Sequence, residues 1–361
     1  MTEASERLDA LDVFRGVTIA AMILVSTPGS WESVYPWVEH APWNGCTLAD
    51  LVFPFLLFAM GAAVPFALTR RRGIPRGVRR HVIRRAVVLF ALGLVLNAIA
   101  TPPPLRLETF RIPGVLQRIA LVYLAVSWIT ERLPLGAQIA VVLAALFGYW
   151  MSVAGAPLTA EKNFGAIIDQ RVFGRHMLYP LWDPEGLLST VPAIATALCG
   201  VFAGDWLKER GAAHHASRLW AAGAAGSLVA LAWARVLPIN KNLWTSSFAL
   251  FTAGLAAQML ALCYWLVDVR GWRAWSRPLV AFGRNPLAAY FLSVGLDAVL
   301  TRWSVAGSGS LKALVYRRAF VSWLRPCCGA DAASLGYALA YVALWGIVLT
   351  EMHRRRLFIG I

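Results

Sequence analysis

Apolar runs, most of them close to the ~20 residues that a helix needs to cross the hydrocarbon of a bilayer, recur along the whole of this chain. They lie near Val13–Pro28, Leu48–Leu68, Arg85–Ala100, Leu116–Ile129, Leu135–Ala154, Leu188–Leu207, Leu219–Leu237, Leu243–Val269, Leu279–Leu300 and Leu335–Met352. The first and fourth are short and carry polar residues. Several are interrupted by Gly and Pro, which a bundle tolerates when neighbouring helices re-satisfy the backbone. A length of 361 residues would otherwise suggest two or three soluble domains, but 58% hydrophobic against 15% charged residues excludes that. The sixteen tryptophans suit the boundary between lipid and water. The expected fold is an all-α, polytopic integral membrane helix bundle of about ten spans, forming one domain over residues 1–361. No cleavable leader is expected, because Thr2–Asp9 is polar and no small-residue cleavage site follows the first run.

Charge sets the orientation. The connection Arg70–Arg85 holds Arg70, Arg71, Arg72, Arg76, Arg79, Arg80, Arg84 and Arg85 and no acid. Arg270, Arg273 and Arg277 flank a second short connection, and Arg354, Arg355 and Arg356 close the chain. With ten spans these fall on one face, which positive-inside bias makes cytoplasmic together with both termini. The longer segments Ser30–Thr47, Thr101–Gly114, Ala156–Leu187 and Thr301–Ala330 then fall outside. A formal charge of +15 needs no nucleic acid as partner, although a phosphate-bearing cytoplasmic ligand would profit from the same field. The stretch Ser310–Leu324 reads as a short amphipathic helix on the outer interface.

Five cysteines show no metal-ligand spacing, and no metal is expected. Cys327 and Cys328 are adjacent, a geometry that pairs only with strain. Cys46 is more plausible as a small packing residue than as an acyl-accepting thiol, which would need an activated thiolate.

Ionisable residues at membrane depth are costly and so point to function. Asp12 and Arg15 share a helix face and read as an ion pair at the inner boundary. Asp50 opens a long apolar run, where either a helix N-terminus or a functional partner explains it. His40 stands among Pro42, Trp43 and Asn44 at an outer boundary, where an imidazole is either structural or a proton acceptor near neutrality. His81, His214, His215 and His353 read as solvated cytoplasmic residues. Further polar residues gather at span ends: Gln117 and Arg118, Asp183 and Glu185, Lys241, Asn242 and Trp244, and Asn285 before Pro286. Each can be a helix cap. Most converge on outer ends, which is also what a shared polar cavity would require.

The hairpin from LDVFRG through HAPWNGCTLADLVFPF resembles the family of heparan-α-glucosaminide N-acetyltransferase and its bacterial NagX-like relatives. FRIPGVLQRIALVY, WDPEGLLSTVPAIATALCGVFAG, PINKNLWTSSFALFTAG and FGRNPLAAYFLS add to the likeness, in order from about Leu8 to Ser293. The resemblance implies transfer of an acetyl group from cytoplasmic acetyl-CoA to an amino sugar of glucosamine type across the membrane, through a tunnel in the bundle and commonly as a homodimer. It places the catalytic histidine at His40, with Asn44 and Asp50 beside it. It also gives Arg118 importance, with Gln117, Ser26 and Asn285 on the donor side. Asp183, Glu185, Lys241, Asn242 and Trp244 are then the acceptor's contacts. Ser26 departs from the pattern, since relatives carry asparagine there. An inner-membrane carrier for N-acetylglucosamine is the alternative reading, and a structural partner of envelope enzymes a third.

Overall fold

A computed structural model describes residues 8–69, 75–101, 106–208, 213–305 and 309–359. Its helices are α1 Asp9–Ser26, α2 Leu48–Thr69, α3 Pro75–Ala100, α4 Val115–Arg132, α5 Leu135–Val153, α6 Phe164–Phe173 and α7 Leu187–Trp206. They continue with α8 Ala213–Trp233, α9 Ser246–Tyr264, α10 Arg277–Arg284, α11 Pro286–Arg302, α12 Leu311–Tyr316, α13 Ser322–Cys328 and α14 Ala330–Arg354. The only strands among the described residues are a two-residue antiparallel pair, Ser304–Val305 with Gly309–Ser310.

Each of the ten expected runs falls on a helix. By length and composition six of these helices are able to cross a membrane, and seven when α10 and α11 count as one bent span. In α1 and α4 charged residues interrupt the apolar face, with Asp9, Asp12 and Arg15 in the first and Arg118, Glu131 and Arg132 in the second. α8 mixes His, Ser and Gly among its apolar residues.

Two of the expected boundaries move. The third run was expected to start at Arg85, yet α3 starts ten residues earlier at Pro75. Pro suits a first helical position and Arg is a good helix former, so Arg79, Arg80, Arg84 and Arg85 stand on the first turns of a helix rather than in a loop. Arg70, Arg71 and Arg72 lie outside the described residues. The ninth run breaks at Asn285, where α10 and α11 meet at 84°. Pro286 lacks the backbone N–H that would carry a straight helix through that point.

Glycines set the closest helix contacts. A Cβ on Gly200 would lie 2.1 Å from Phe58 O, and one on Gly204 would lie 2.3 Å from Ala62 O. This four-residue spacing lets α7 lie directly on the backbone of α2, as small residues do between membrane helices. α1 and α10 meet in the same way, through Gly16 against Leu279 O and Gly283 against Asp12 O. One core joins α1, α2, α8 and α9 around Phe14, Phe58 and Leu260. A second joins α2, α4, α5, α7 and α9 around Leu57, Leu198 and Phe248.

The helix connections sort into two sets. At one end Gly45 N donates to Ile239 O at 2.8 Å, Trp43 Nε1 to Leu158 O at 2.7 Å, and Ile112 N to His176 O at 3.0 Å. At the other end Ala10 N donates to Asp268 Oδ2 at 2.9 Å, and Arg284 lies 3.6 Å from Asp12. The long segments gather at the first end. The arginine-bearing connections gather at the second.

The expected amphipathic stretch is helical from Leu311 to Cys328, with a π-helical turn at Arg317–Val321 between α12 and α13. Lys312 holds it to α11 through Asp297 at 2.8 Å. Cys327 and Cys328 are free thiols with sulfurs 3.4 Å apart. Of the histidines read as solvated, His214 is exposed but His215 is buried against the bundle.

Candidate active site

The site forms where the 40–47 loop meets the 239–245 loop at the long-segment end. Thr47 precedes α2, and Asp50 sits in its first turn. Asp50 Oδ2 accepts from Thr47 N at 3.0 Å, which is the backward half of a capping box. It also accepts from Ala41 N at 3.0 Å and from Thr47 Oγ1 at 3.1 Å. The second carboxylate oxygen is therefore left for His40, whose Nδ1 lies 2.8 Å from Asp50 Oδ1. Asp50 is 1% exposed and the imidazole 46% exposed, so a buried acceptor fixes a ring that faces outward. The cap and the functional partner, alternatives in the sequence, are one carboxylate using two oxygens. With Nδ1–H donated to Asp50, Nε2 is the nitrogen that carries the free lone pair.

Lys241 completes the group. Its Nζ lies 3.4 Å from Asp50 Oδ1, 3.0 Å from His40 Nδ1 and 3.3 Å from Nε2. An in-plane contact to one ring nitrogen would put the other out of reach, so the near-equal distances place the amine over the imidazole face. Burial lowers the Lys241 pKa from the ordinary lysine value, against the opposing pull of Asp50 and Glu185. The turn that carries Lys241 is self-bonded: Leu243 N donates to Asn240 Oδ1 at 2.9 Å, and Asn240 N donates to Thr245 Oγ1 at 3.1 Å. Trp244 closes it at φ +49°, a left-handed conformation that costs a bulky residue about 1–3 kcal/mol.

Asn44 accepts from Asn240 Nδ2 at 3.1 Å through its Oδ1. It joins the two loops, while Asp50 does the orienting of His40. Cys46 lies beside this group, but burial and the Asp50 charge push its thiol up to about 12. It stays protonated, which agrees with a packing role.

A second charged cluster adjoins the first. Arg111 makes a fork to Asp183, Nε to Oδ2 at 2.9 Å and Nη2 to Oδ1 at 2.8 Å, and its Nη2 also reaches Glu185 Oε2. Burial alone would lower the Arg111 pKa, yet the two carboxylates hold it above its ordinary value. Asp183 further accepts from Leu178 N at 2.7 Å and Glu185 N at 2.9 Å. It is buried and fully committed, so it shapes the 178–186 loop and has no oxygen left for a sugar. Arg118 lies beneath, donating to Pro184 O at 2.8 Å and to Ser189, with its guanidinium 5.1 Å from the centre of the Trp244 ring. It is 1% exposed and belongs to the foundations of the site.

Several expected contacts are placed elsewhere. Trp244 is 1% exposed, its ring packed between Arg118 and Phe53, and it cannot meet an acceptor. Gln117 packs its amide against Gly93 of α3, where a Cβ would lie 2.2 Å from Oε1. Asn285 lies at the opposite end, donating to Leu357 O at 3.1 Å and accepting from Ile359 N at 3.0 Å. Its amide is spent on fastening the C-terminal segment across the α10–α11 bend. Asn242 borders a small polar cavity with Trp182 and Asp169.

Arg111 was not among the expected site residues, although two acids at one span boundary call for a cation. Nor was Asp169, whose carboxylate caps α7 through Leu187 N at 2.9 Å and is raised by burial to about 6. The aromatic group of Trp43, Trp182 and Tyr179, with ring centroids 5.3 and 4.5 Å apart, comes from distant segments and had no local signal.

A cavity runs between α1, α2, α3, α4 and α11. Arg15 and Arg85 line its arginine-rich end, and Val115, Leu116 and Tyr290 line it further along. Tyr290 is within electrostatic reach of Glu185 and Arg111. Ile19 and Met22 of α1 face it. Ser26 follows Met22 by one turn and so continues that face. Among the described residues no cluster of His, Cys, Asp or Glu could hold a metal ion.

Residues 7–239 match the family model described as heparan-alpha-glucosaminide N-acetyltransferase, catalytic. The chain is 28% identical over 351 residues to heparan-alpha-glucosaminide N-acetyltransferase of Homo sapiens, covering 79% of this chain and 52% of that protein. It is 26% identical to the Mus musculus protein of the same name over 98% of this chain and 60% of that one. The chain thus spans between half and two thirds of the length of these relatives. The family match includes His40, Asp50, Arg111, Arg118, Asp183 and Glu185, and it ends just before Lys241.

Proposed function

The chain belongs to the heparan-alpha-glucosaminide N-acetyltransferase family, and on that premise we propose that it is a membrane acyltransferase passing an acetyl group from acetyl-CoA to an amino sugar of glucosamine type. The observation that carries the reading is the His40–Asp50 pair, with Nε2 facing outward, at one end of a bundle whose cavity meets Arg15 and Arg85 at the other. The ten long helices are read as ten spans with both termini cytoplasmic, in a bacterial inner membrane, and the assembly as a homodimer.

Cytoplasmic acetyl-CoA enters from the arginine-bearing side, where cations favour its phosphates. The pantetheine arm follows the largely apolar cavity, bringing the thioester to the outer site. The acceptor amine attacks the thioester carbonyl, the C–N bond forms, and His40 Nε2 takes the proton that the nitrogen loses. The C–S bond then breaks and the CoA thiolate leaves, to be reprotonated as free CoA. Asp50 holds the imidazole in the tautomer that this step needs and steadies the imidazolium it becomes. Lys241, over the same ring, is placed to offset negative charge developing on the carbonyl oxygen. Asn242 and the free oxygen of Glu185 are the acceptor's contacts in this reading. Direct transfer in a ternary complex is preferred to an acetyl-imidazole intermediate.

The test is His40→Ala in proteoliposomes supplied with labelled acetyl-CoA on one side and glucosamine on the other. Loss of acetylated sugar with saturable CoA binding intact supports the reading. Full transfer by that variant overturns the role of His40. Flux of labelled N-acetylglucosamine without any acyl-CoA, and with no acetyl transfer, would make the protein a carrier instead.

A further inference from the structure

A second cavity opens between α7, α8 and α9 and shares no lining residue with the His40 group. α9 forms its floor with Leu250, Ala253, Gly254 and Ala257, while α7 and α8 diverge to form its walls. α8 lies tightly on α9, since a Cβ on Gly223 would come within 2.5 Å of Gly254 O. The lining is almost wholly apolar, at a depth that the proposed topology gives to the hydrocarbon.

The cavity's arginine-rich end is different. Leu219 and Ala222 line it from α8. Arg218 and His214 stand one and two turns before Ala222 on the same row of that helix, at the i, i+4 spacing that puts side chains on one face. Both are exposed, and Arg218 has no ion pair among the described residues. Asp205, at the facing end of α7, is already held by Lys208 at 2.7 Å. Trp206, which lines the cavity, is 47% exposed, and Trp220 nearby is 53% exposed. Indoles of this kind mark the interface between headgroups and acyl chains.

We propose that this cavity is a site for one anionic phospholipid of the inner leaflet, with an acyl chain in the groove and the phosphate at Arg218 and His214. The apolar lining matches a hydrocarbon chain, and the cation at the headgroup level selects the charge. A second copy of the protein would have to seat a helix about 10–12 Å across, whereas the floor here is reached between two walls that converge on α9. The site is independent of the acyl-transfer reading and uses none of its residues.

Native mass spectrometry of the detergent-purified full chain tests this, with phosphatidylglycerol and phosphatidylcholine offered in equal amounts. One retained phosphatidylglycerol is expected, preferred about fivefold, the factor a single basic residue contributes at an anionic surface. Ala222→Phe fills the groove and should remove the bound lipid, while Arg218→Gln should keep a lipid but lose the preference. Unchanged retention in a monodisperse Ala222→Phe sample would overturn the site, and so would a change of oligomeric state without loss of lipid. Should the Phe variant misfold, a phosphatidylglycerol with a photoreactive acyl chain settles the matter on the native protein. Labelling of peptides from α7 and α8 around Trp206 and Leu219 supports the proposal, and labelling spread evenly over the lipid-facing helices overturns it.

Discussion

His40 Nδ1 lies 2.8 Å from Asp50 Oδ1, and the other oxygen of the same carboxylate closes the first turn of α2 through Thr47 N. One buried acid thus serves both the fold and the ring that faces the outer site. Removing its charge and removing the side chain should have separable effects. Asp50→Asn keeps the size and part of the cap, but its amide can offer an N–H to Nδ1 and select the wrong tautomer. The turnover number should fall by roughly two to four orders of magnitude, with thermal stability changed by about 1 kcal/mol or less. Transfer assays and melting curves on the same preparation check this. An unchanged turnover number would remove Asp50 from the chemistry.

Asp169 gives a pH dependence of stability. Burial raises its pKa from 3.8 to about 6, so the folded protein holds the proton more tightly than the unfolded chain does. The stabilisation is complete below pH 3.8 and is lost as pH rises through about 6. Over that window the wild type should lose roughly 3 kcal/mol relative to Asp169→Asn, taking about 1.4 kcal/mol per pH unit. Melting temperatures of the two proteins from pH 3.8 to 7 would reveal it. Parallel curves would show that Asp169 is not the titrating group.

Arg111 makes a planar fork to Asp183 and adds Glu185. Arg111→Met leaves the buried Asp183 carboxylate without its paired cation and should cost about 3–5 kcal/mol. Arg111→Lys restores charge but not the fork, so it should recover part of the melting temperature while the acceptor KM stays raised. Equal behaviour of the two variants would mean that the fork geometry is irrelevant.

Glycine substitutions should divide by what their Cβ meets. On Gly16 it would lie 1.9 Å from Leu279 O, so Gly16→Ala must push α1 from α10 and cost roughly 1–3 kcal/mol. On Gly148 of α5 it meets nothing within 4 Å, so Gly148→Ala should stabilise by about 0.5–1 kcal/mol through helix propensity alone. Melting curves in one detergent compare them directly, and a destabilised Gly148→Ala would contradict the open surface assigned to that side of α5.

The sequence by itself determined the helical class, the approximate place of the long apolar helices and the clustering of arginine-rich connections, because run length and charge are local quantities. It also singled out His40 and Asp50, since each is an unusual residue within one hairpin. It could not determine that Lys241 lies over His40, that Arg111 holds Asp183, or that Trp244 is interior, because these depend on which helix ends are neighbours. Asn285 and Gln117 were misread for the same reason: a polar residue at a span end looks alike whether it faces a cavity, a glycine or the backbone of a distant segment. Only packing decides which of these it meets, and the glycine contacts of α2 with α7 and of α1 with α10 bring those helices into register.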